Sequence, residues 1–185
     1  MNDDEVTGMI QFSFATSLKP WGGDPTRYWF PATGEIVADL DSPDDSDATE
    51  AAGRMELKII RFSEAYNDHV DLSDVFYEAG LGAVYVAMFN SRGGIKKQLD
   101  IDLLPGEVIF INAIQLEAKY RPTPLLLQTV EGMIGALTSM GLIVACRDTL
   151  DLGNKEWKQL GFDRVPRTQF IYRDDYGMNP RRKAY

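Results

Sequence analysis

Residues 107–148 constrain the fold more than any other part of the chain. They open with Glu107-Val-Ile-Phe-Ile-Asn-Ala-Ile-Gln-Leu116, an apolar run rich in β-branched residues that predicts a long buried strand. Glu117-Ala-Lys-Tyr-Arg-Pro-Thr-Pro124 follows as a turn with two prolines. An apolar segment of helical spacing, 125–140, then runs up to the stop signal Gly141, and Leu142-Ile-Val-Ala-Cys146 predicts a second buried strand. Strand, short loop, helix and parallel strand make one βαβ unit with a right-handed crossover. In such a unit the loop before the helix lies at the carboxyl end of the first strand, where α/β folds place ligands. What that loop can bind is the central functional question.

The remaining segments predict further strands and helices around this unit. Residues 1–54 read as an N-terminal β extension ending in an acidic linker. In it, Met9-Ile-Gln-Phe-Ser-Phe-Ala15 suggests a strand, and Lys19-Pro-Trp-Gly-Gly-Asp-Pro25 a loop. Tyr28-Trp-Phe30 and Glu35-Ile-Val-Ala38 suggest two short strands about a Pro31–Gly34 turn. Residues 39–53 carry six acidic side chains and no basic one, a composition that predicts a disordered linker. From Met55 to Arg173 the pattern is that of a folded domain. Residues 56–62 alternate as a strand, and 71–80 form a helix with acids in its first turn and Gly80 at its stop. Ala83–Phe89 reads as a strand, Ser91–Gly94 as a hairpin turn, and 95–103 as a strand wet on one face. After Cys146 come a short helix over 154–160 and two strands, near 164–165 and 169–173; residues 174–185 form a tail. The fold class is α/β: a mixed, mostly antiparallel sheet with flanking helices, plus the N-terminal β extension.

Composition excludes several classes of function. A chain of 185 residues is long enough for one domain with a substantial core. No run reaches the roughly 18 apolar residues that a membrane helix needs, so no membrane partner is expected. The acidic start Met1-Asn-Asp-Asp-Glu5 lacks the basic region of a signal peptide, and a single cysteine excludes an intramolecular disulfide; both point to the cytoplasm. One histidine and one cysteine cannot form a Cys/His zinc site, and no metal is expected. A net charge of −9 argues against broad binding of nucleic acid through its phosphates and suits a basic partner.

The element order from Met55, with two local signatures, resembles the GNAT family of acyl-CoA-dependent N-acyltransferases. One signature is the passage from the central strand into Tyr120-Arg121, similar to the start of the family's cofactor loop. The other is Trp157-Lys-Gln-Leu-Gly161-Phe162, similar to the family's Tyr-x-x-x-Gly-Phe helix end. The resemblance implies that acetyl-CoA would be held by its pyrophosphate on Arg121, Thr123 and Leu125, at the start of the helix. Thr123 is the N-cap candidate and Pro124 the N1 residue.

At the positions that would carry this chemistry the chain departs from the family pattern. Pro124 and Leu126 stand where the cofactor loop has glycines; proline has no N–H to donate, and the leucine side chain blocks close approach of a phosphate to the backbone. Trp157 replaces a tyrosine that would protonate the leaving thiolate, and an indole is no practical acid. Asp151 falls where the family has an asparagine, adding a carboxylate that repels phosphate.

The candidate catalytic groups are Glu107 or Glu117 as base and Tyr172 as a substitute acid; Glu117, Tyr120 and Arg121 could equally form a structural cluster. Trp21 and Trp29 flank a Gly/Pro-rich loop and are candidate partner contacts. Cys146 reads as packing and His69 as a loop residue. Three functions are consistent with these residues, the third being an acyl-carrier or other ligand binder that does not use the pyrophosphate loop. In the first, the fold is catalytically degenerate, needs no cofactor and works as an interaction or structural component. It would bind a protein partner or further copies of itself, in a larger assembly such as a bacteriophage particle. In the second, the chain is an active acyl-CoA-dependent N-acetyltransferase acting on a small or peptide amine.

Overall fold

In chain order the strands are β1 (Gly8–Phe14), β2 (Trp29–Asp39), β3 (Thr49–Ile60), β4 (Glu107–Leu116), β5 (Gly141–Cys146), β6 (Asp163–Arg164) and β7 (Phe170–Asp174). The helices are α1 (Phe62–Asn67), α2 (Leu72–Glu78), α3 (Gly82–Met88), α4 (Leu125–Leu137) and α5 (Asn154–Gln159). The computed structural model describes residues 8–14, 24–39, 49–101, 104–121, 125–137, 141–148 and 152–174. The tail from 175 onward and the middle of the acidic linker, 40–48, lie outside the described residues.

The seven strands of the described residues belong to one sheet, ordered β1-β2-β3-β4-β5-β7-β6. Every neighbouring pair is antiparallel except β4 with β5, which are parallel and joined through α4. The sheet is therefore mixed and mostly antiparallel, with the βαβ unit at its centre. Parallel neighbours need a crossover, and 125–137 supplies it as a helix.

Helices cover both faces. On one, α1, α2 and α3 bury Phe62, Val75, Phe76 and Met88 against Val108, Phe110, Leu142, Val144, Phe170 and Tyr172. On the other, α4 and α5 bury Val130, Met133, Ile134, Trp157 and Leu160 against Ile109, Ile111, Ile143, Ala145 and Ile171. Alternate residues of β4 and β5 thus supply both cores, as a strand covered on both faces must.

The helical α2 matches its sequence signals. Asp71 accepts from the Ser73 backbone N–H at 2.8 Å as N-cap, and Gly80 takes a φ of +70° just past the helix end. Elsewhere the structure corrects the reading. Residues 82–88 are helix α3 instead of a strand. Val84, Tyr85, Ala87 and Met88 are buried while Ala83 and Val86 are exposed, a helical pattern that a run of seven apolar residues conceals. Packing decides it: Phe76 lies 5.4 Å from Tyr85 and 5.3 Å from Phe89, ring centre to ring centre. Of the strand expected over 95–103, residues 95–101 do not form one, and 102–103 lie outside the described residues. Ile95 makes a single bridge to Phe89, and Lys97–Leu99 is a 3₁₀ turn that buries Leu99.

The N-terminal segment also differs from its sequence pattern. In place of two short strands around a turn, β2 is continuous through Pro31 and Gly34. Pro31 sits one residue outside the β1–β2 ladder, which ends at Ala32, a position where a residue without an N–H is tolerated. β1 and β2 extend the same sheet as β3, and residue 54 falls within β3.

Candidate functional site

β4 and β5 pair only over β4 residues 107–111, and the last pair is Ile111 with Ala145. Among the described residues β4 continues to Leu116 in ladder with β3 alone. The two strands part because of a bulge. Glu56 pairs with Ala113 and Leu57 with Ile111, so Asn112 is an extra residue in β4. One inserted residue bends a strand and reverses its side-chain alternation. Ile109 and Ile111 face α4 before the bulge; Ile114 and Leu116 pack on the α4 side after it. The bulge keeps the α4 face apolar along the whole strand while turning its end away from β5. The Asn112 amide donates to the Glu56 carboxylate at 3.2 Å.

The loop after β4 is fastened to β3. A second irregularity leaves Ala52 out of the β2–β3 ladder, and its carbonyl accepts the Glu117 N–H at 2.9 Å. Gly53 pairs with Leu116, and a Cβ at Gly53 would lie 2.2 Å from the Gln115 carbonyl oxygen, so no side chain fits there. Glu50 accepts hydrogen bonds from the Tyr120 hydroxyl and the Lys119 ammonium. Tyr120 and Leu125 are buried with Ile36, Ala38, Ala52 and Leu116 in a third apolar cluster. Arg121 is exposed, and its Nε donates to the Leu116 carbonyl at 3.4 Å. A cluster of Glu117 with Tyr120 and Arg121 does not form: Tyr120 turns to Glu50, Arg121 to the strand end, and the Glu117 side chain is exposed.

Of the cofactor-loop candidates, Arg121 stands at this strand end and Leu125 is fully buried at the start of α4. Thr123 lies outside the described residues, as do Pro122, Pro124 and Asp151. Leu126 is half-buried and packs against two apolar clusters.

The acid–base candidates are scattered. Glu107 and Glu117 stand at opposite ends of the ten-residue β4, roughly 30 Å apart at about 3.3 Å per residue. Partial burial pushes the Glu107 carboxyl above its ordinary value; nearby Arg61 pulls it down and Glu64 pushes it up. Tyr172 is buried on the α1–α3 face, where its hydroxyl donates to the Leu99 carbonyl. Trp157 is buried on the α4–α5 face, edge-on to Phe162 with ring centres 4.9 Å apart, and among the described residues its indole N–H has no acceptor. The structure brings none of Glu107, Glu117 and Tyr172 together.

Of the partner-contact candidates, Trp29 is half-buried against the α1–α3 core, its enclosed indole N–H without an acceptor among the described residues, and Trp21 lies outside the described residues. Among the described residues the exposed large apolar side chains are Tyr66, Tyr77, Val86 and Leu104. Tyr77 and Val86 line one cleft on the outer side of α2 and α3, with Ala83 and Phe170. Sequence reasoning misses this patch because it assigns residues 83–89 to a strand.

Cys146 is half-buried at the end of β5, and His69 occupies a turn at φ +57°. Among the described residues no three His, Cys, Asp or Glu side chains gather as a metal ion would require. Among them, too, no helix is long and apolar enough to cross a membrane. Compared with family models, curated proteins and solved structures, the chain matches none.

Proposed function

We propose that this chain is a GNAT-like acyltransferase scaffold that carries out no group transfer and serves as an interaction or structural component of a larger assembly. The scaffold reading is supported by the one parallel pair, β4 and β5, set in an antiparallel sheet and parting at the Asn112 bulge before α4. The observation that carries the loss of chemistry is the separation of its candidate groups. Glu107 is roughly 30 Å along β4 from the loop, Tyr172 is engaged on the opposite face, and the tyrosine that would act as acid is Trp157. General acid–base catalysis requires these groups within hydrogen-bond reach of one reacting centre. The exposed Tyr77 and Val86 are the surface we assign to a protein partner, since an aromatic and an aliphatic side chain left exposed at one cleft favour docking.

The test is an assay of thiol release from acetyl-CoA with a panel of amines, run beside native mass spectrometry. No release, together with a defined multimer or complex, is the expected result; release above the uncatalysed rate overturns the reading.

One observation favours the second reading, N-acyl transfer. β4 beyond Ile111 has no partner from β5, and an unpaired strand edge is a template for an extended amide-bearing ligand. In that case Glu117, at the end of this edge, is the base, and Glu117→Gln abolishes thiol release.

A further inference from the structure

The cleft that holds Tyr77 and Val86, about 580 Å³ in volume, lies between the outer side of α2 and α3 and the turn joining β6 to β7. Tyr77 and Val86 are 61% and 59% exposed, and Ala83 and Pro166 beside them are exposed too, so this apolar surface is open to a ligand. Tyr77 is nonetheless held in place: a Cβ at Gly82 would collide with its ring, which rests against that glycine at the start of α3. Two cations, Lys96 and Arg167, border the surface. Among the described residues no carboxylate lines the cleft, although the chain carries a net charge of −9. The Lys96 ammonium donates to the Val86 carbonyl, which fixes it at the last turn of α3. Arg167 is exposed, and among the described residues its guanidinium is in no ion pair or hydrogen bond. Its backbone is strained. The Thr168 N–H donates to the Val165 carbonyl at 3.3 Å, closing a turn in which Pro166 is second and Arg167 third, at φ +63°. Glycine or asparagine ordinarily fills that third position, because a Cβ is disfavoured there. An arginine held at a glycine position on the rim of an apolar cleft points from strain to a binding role.

We propose that this cleft docks an acidic protein segment that carries one large apolar side chain. The apolar side chain covers Tyr77, Ala83 and Val86, and flanking carboxylates accept hydrogen bonds from the Arg167 guanidinium and the Lys96 ammonium. An exposed tyrosine and an arginine are side chains on which the energy of an interface commonly depends. A basic segment would meet two like charges and no carboxylate in the cleft. This inference rests on the assignment of Tyr77 and Val86 to a protein partner and adds the partner's charge, with the two residues that read it.

Proton–nitrogen correlation spectra of the full chain test it, with a synthetic decapeptide of aspartates and glutamates around one leucine as probe. The amide signals of Ala83, Val86 and Thr168 shift saturably, and they stay in place with the same peptide bearing lysine for every acid. Arg167→Gly weakens binding roughly fivefold or more while the urea midpoint is unchanged or higher, since glycine relieves the turn. A merely structural arginine would not separate the two readouts. No saturable shift at millimolar peptide, an undiminished affinity in Arg167→Gly, or equal binding of the lysine peptide overturns the proposal. The same shifts on concentrating the chain alone give the cleft to a second copy and overturn it as well. Each of these results leaves the interaction reading standing, whereas thiol release from acetyl-CoA overturns that reading.

Discussion

The Tyr172 hydroxyl donates its hydrogen bond to the backbone carbonyl of Leu99, a residue in the loop between α3 and β4. That bond ties β7 to a 3₁₀ turn on the α1–α3 face, whereas Trp157 lies on the other face of the same sheet. Tyr172 is therefore a structural donor. Tyr172→Phe keeps the ring in its core and leaves the Leu99 carbonyl without this donor. The expected loss is about 1–2 kcal/mol of unfolding free energy, read from urea denaturation. A variant as stable as the parent would show that the bond contributes nothing.

Glu50 couples β3 to the loop after β4 through Tyr120 and Lys119. Tyr120 is buried and Lys119 is exposed, so the tyrosine contributes most of the coupling. A double-mutant cycle of Glu50→Gln and Tyr120→Phe is expected to give a coupling energy of about 1 kcal/mol, whereas Glu50→Gln with Lys119→Met gives close to none. Faster amide exchange at Glu117 in Glu50→Gln would show that the loop has been released from β3.

Gly53 allows β3 to approach β4 at Leu116. Its missing Cβ would stand 2.2 Å from a backbone oxygen, which cannot move aside as a flexible side chain could. Gly53→Ala is expected to cost about 2 kcal/mol or more and to lower the urea midpoint without changing its slope. Gly135→Ala, where nothing lies within 4 Å of the added carbon, serves as the contrast and stabilises α4 slightly.

Two carboxylates give opposite dependences on pH. Asp71 is held below its ordinary value of 3.8 by hydrogen bonds from the Ser73 side chain and backbone. Its contribution is present above 3.8 and is lost as pH falls through the lowered folded value. Asp71→Ala therefore costs about 1 kcal/mol at neutral pH, the usual worth of an N-cap, and progressively less in acid. Glu107 is raised above 4.5, mainly by burial, so its contribution is present below 4.5 and is lost as pH rises through the raised value. Glu107→Gln is neutral in acid and stabilising at neutral pH. Urea unfolding on both sides of these values checks both signs.

The sequence carried the central unit well because β4, α4 and β5 each announce themselves by composition: β-branched runs for the strands, helical spacing and a glycine stop for the helix. Residues 82–88 did not, because Val84, Tyr85 and Val86 favour a strand locally while the aromatic contacts to Phe76 form only in the folded chain. The Asn112 bulge is equally silent. Glu107–Leu116 reads as one apolar run, and only pairing with β3 reveals the shift from Ile109 and Ile111 to Ile114 and Leu116 on the α4 side. The candidate site was legible as a place, at the carboxyl end of β4. It was not legible as a set of contacts, since Glu50, the residue that engages Tyr120 and Lys119, lies in a stretch whose acidic composition predicts disorder.

The central claim, a transferase-like scaffold without the cofactor, is tested most directly by titrating acetyl-CoA into the protein in a calorimeter. The account predicts no saturable heat, for the parent and for Arg121→Ala alike, because Arg121 is directed to the Leu116 carbonyl and Leu125 and Leu126 fill the start of α4 with packed side chains. Saturable binding to the parent that disappears in Arg121→Ala would contradict it.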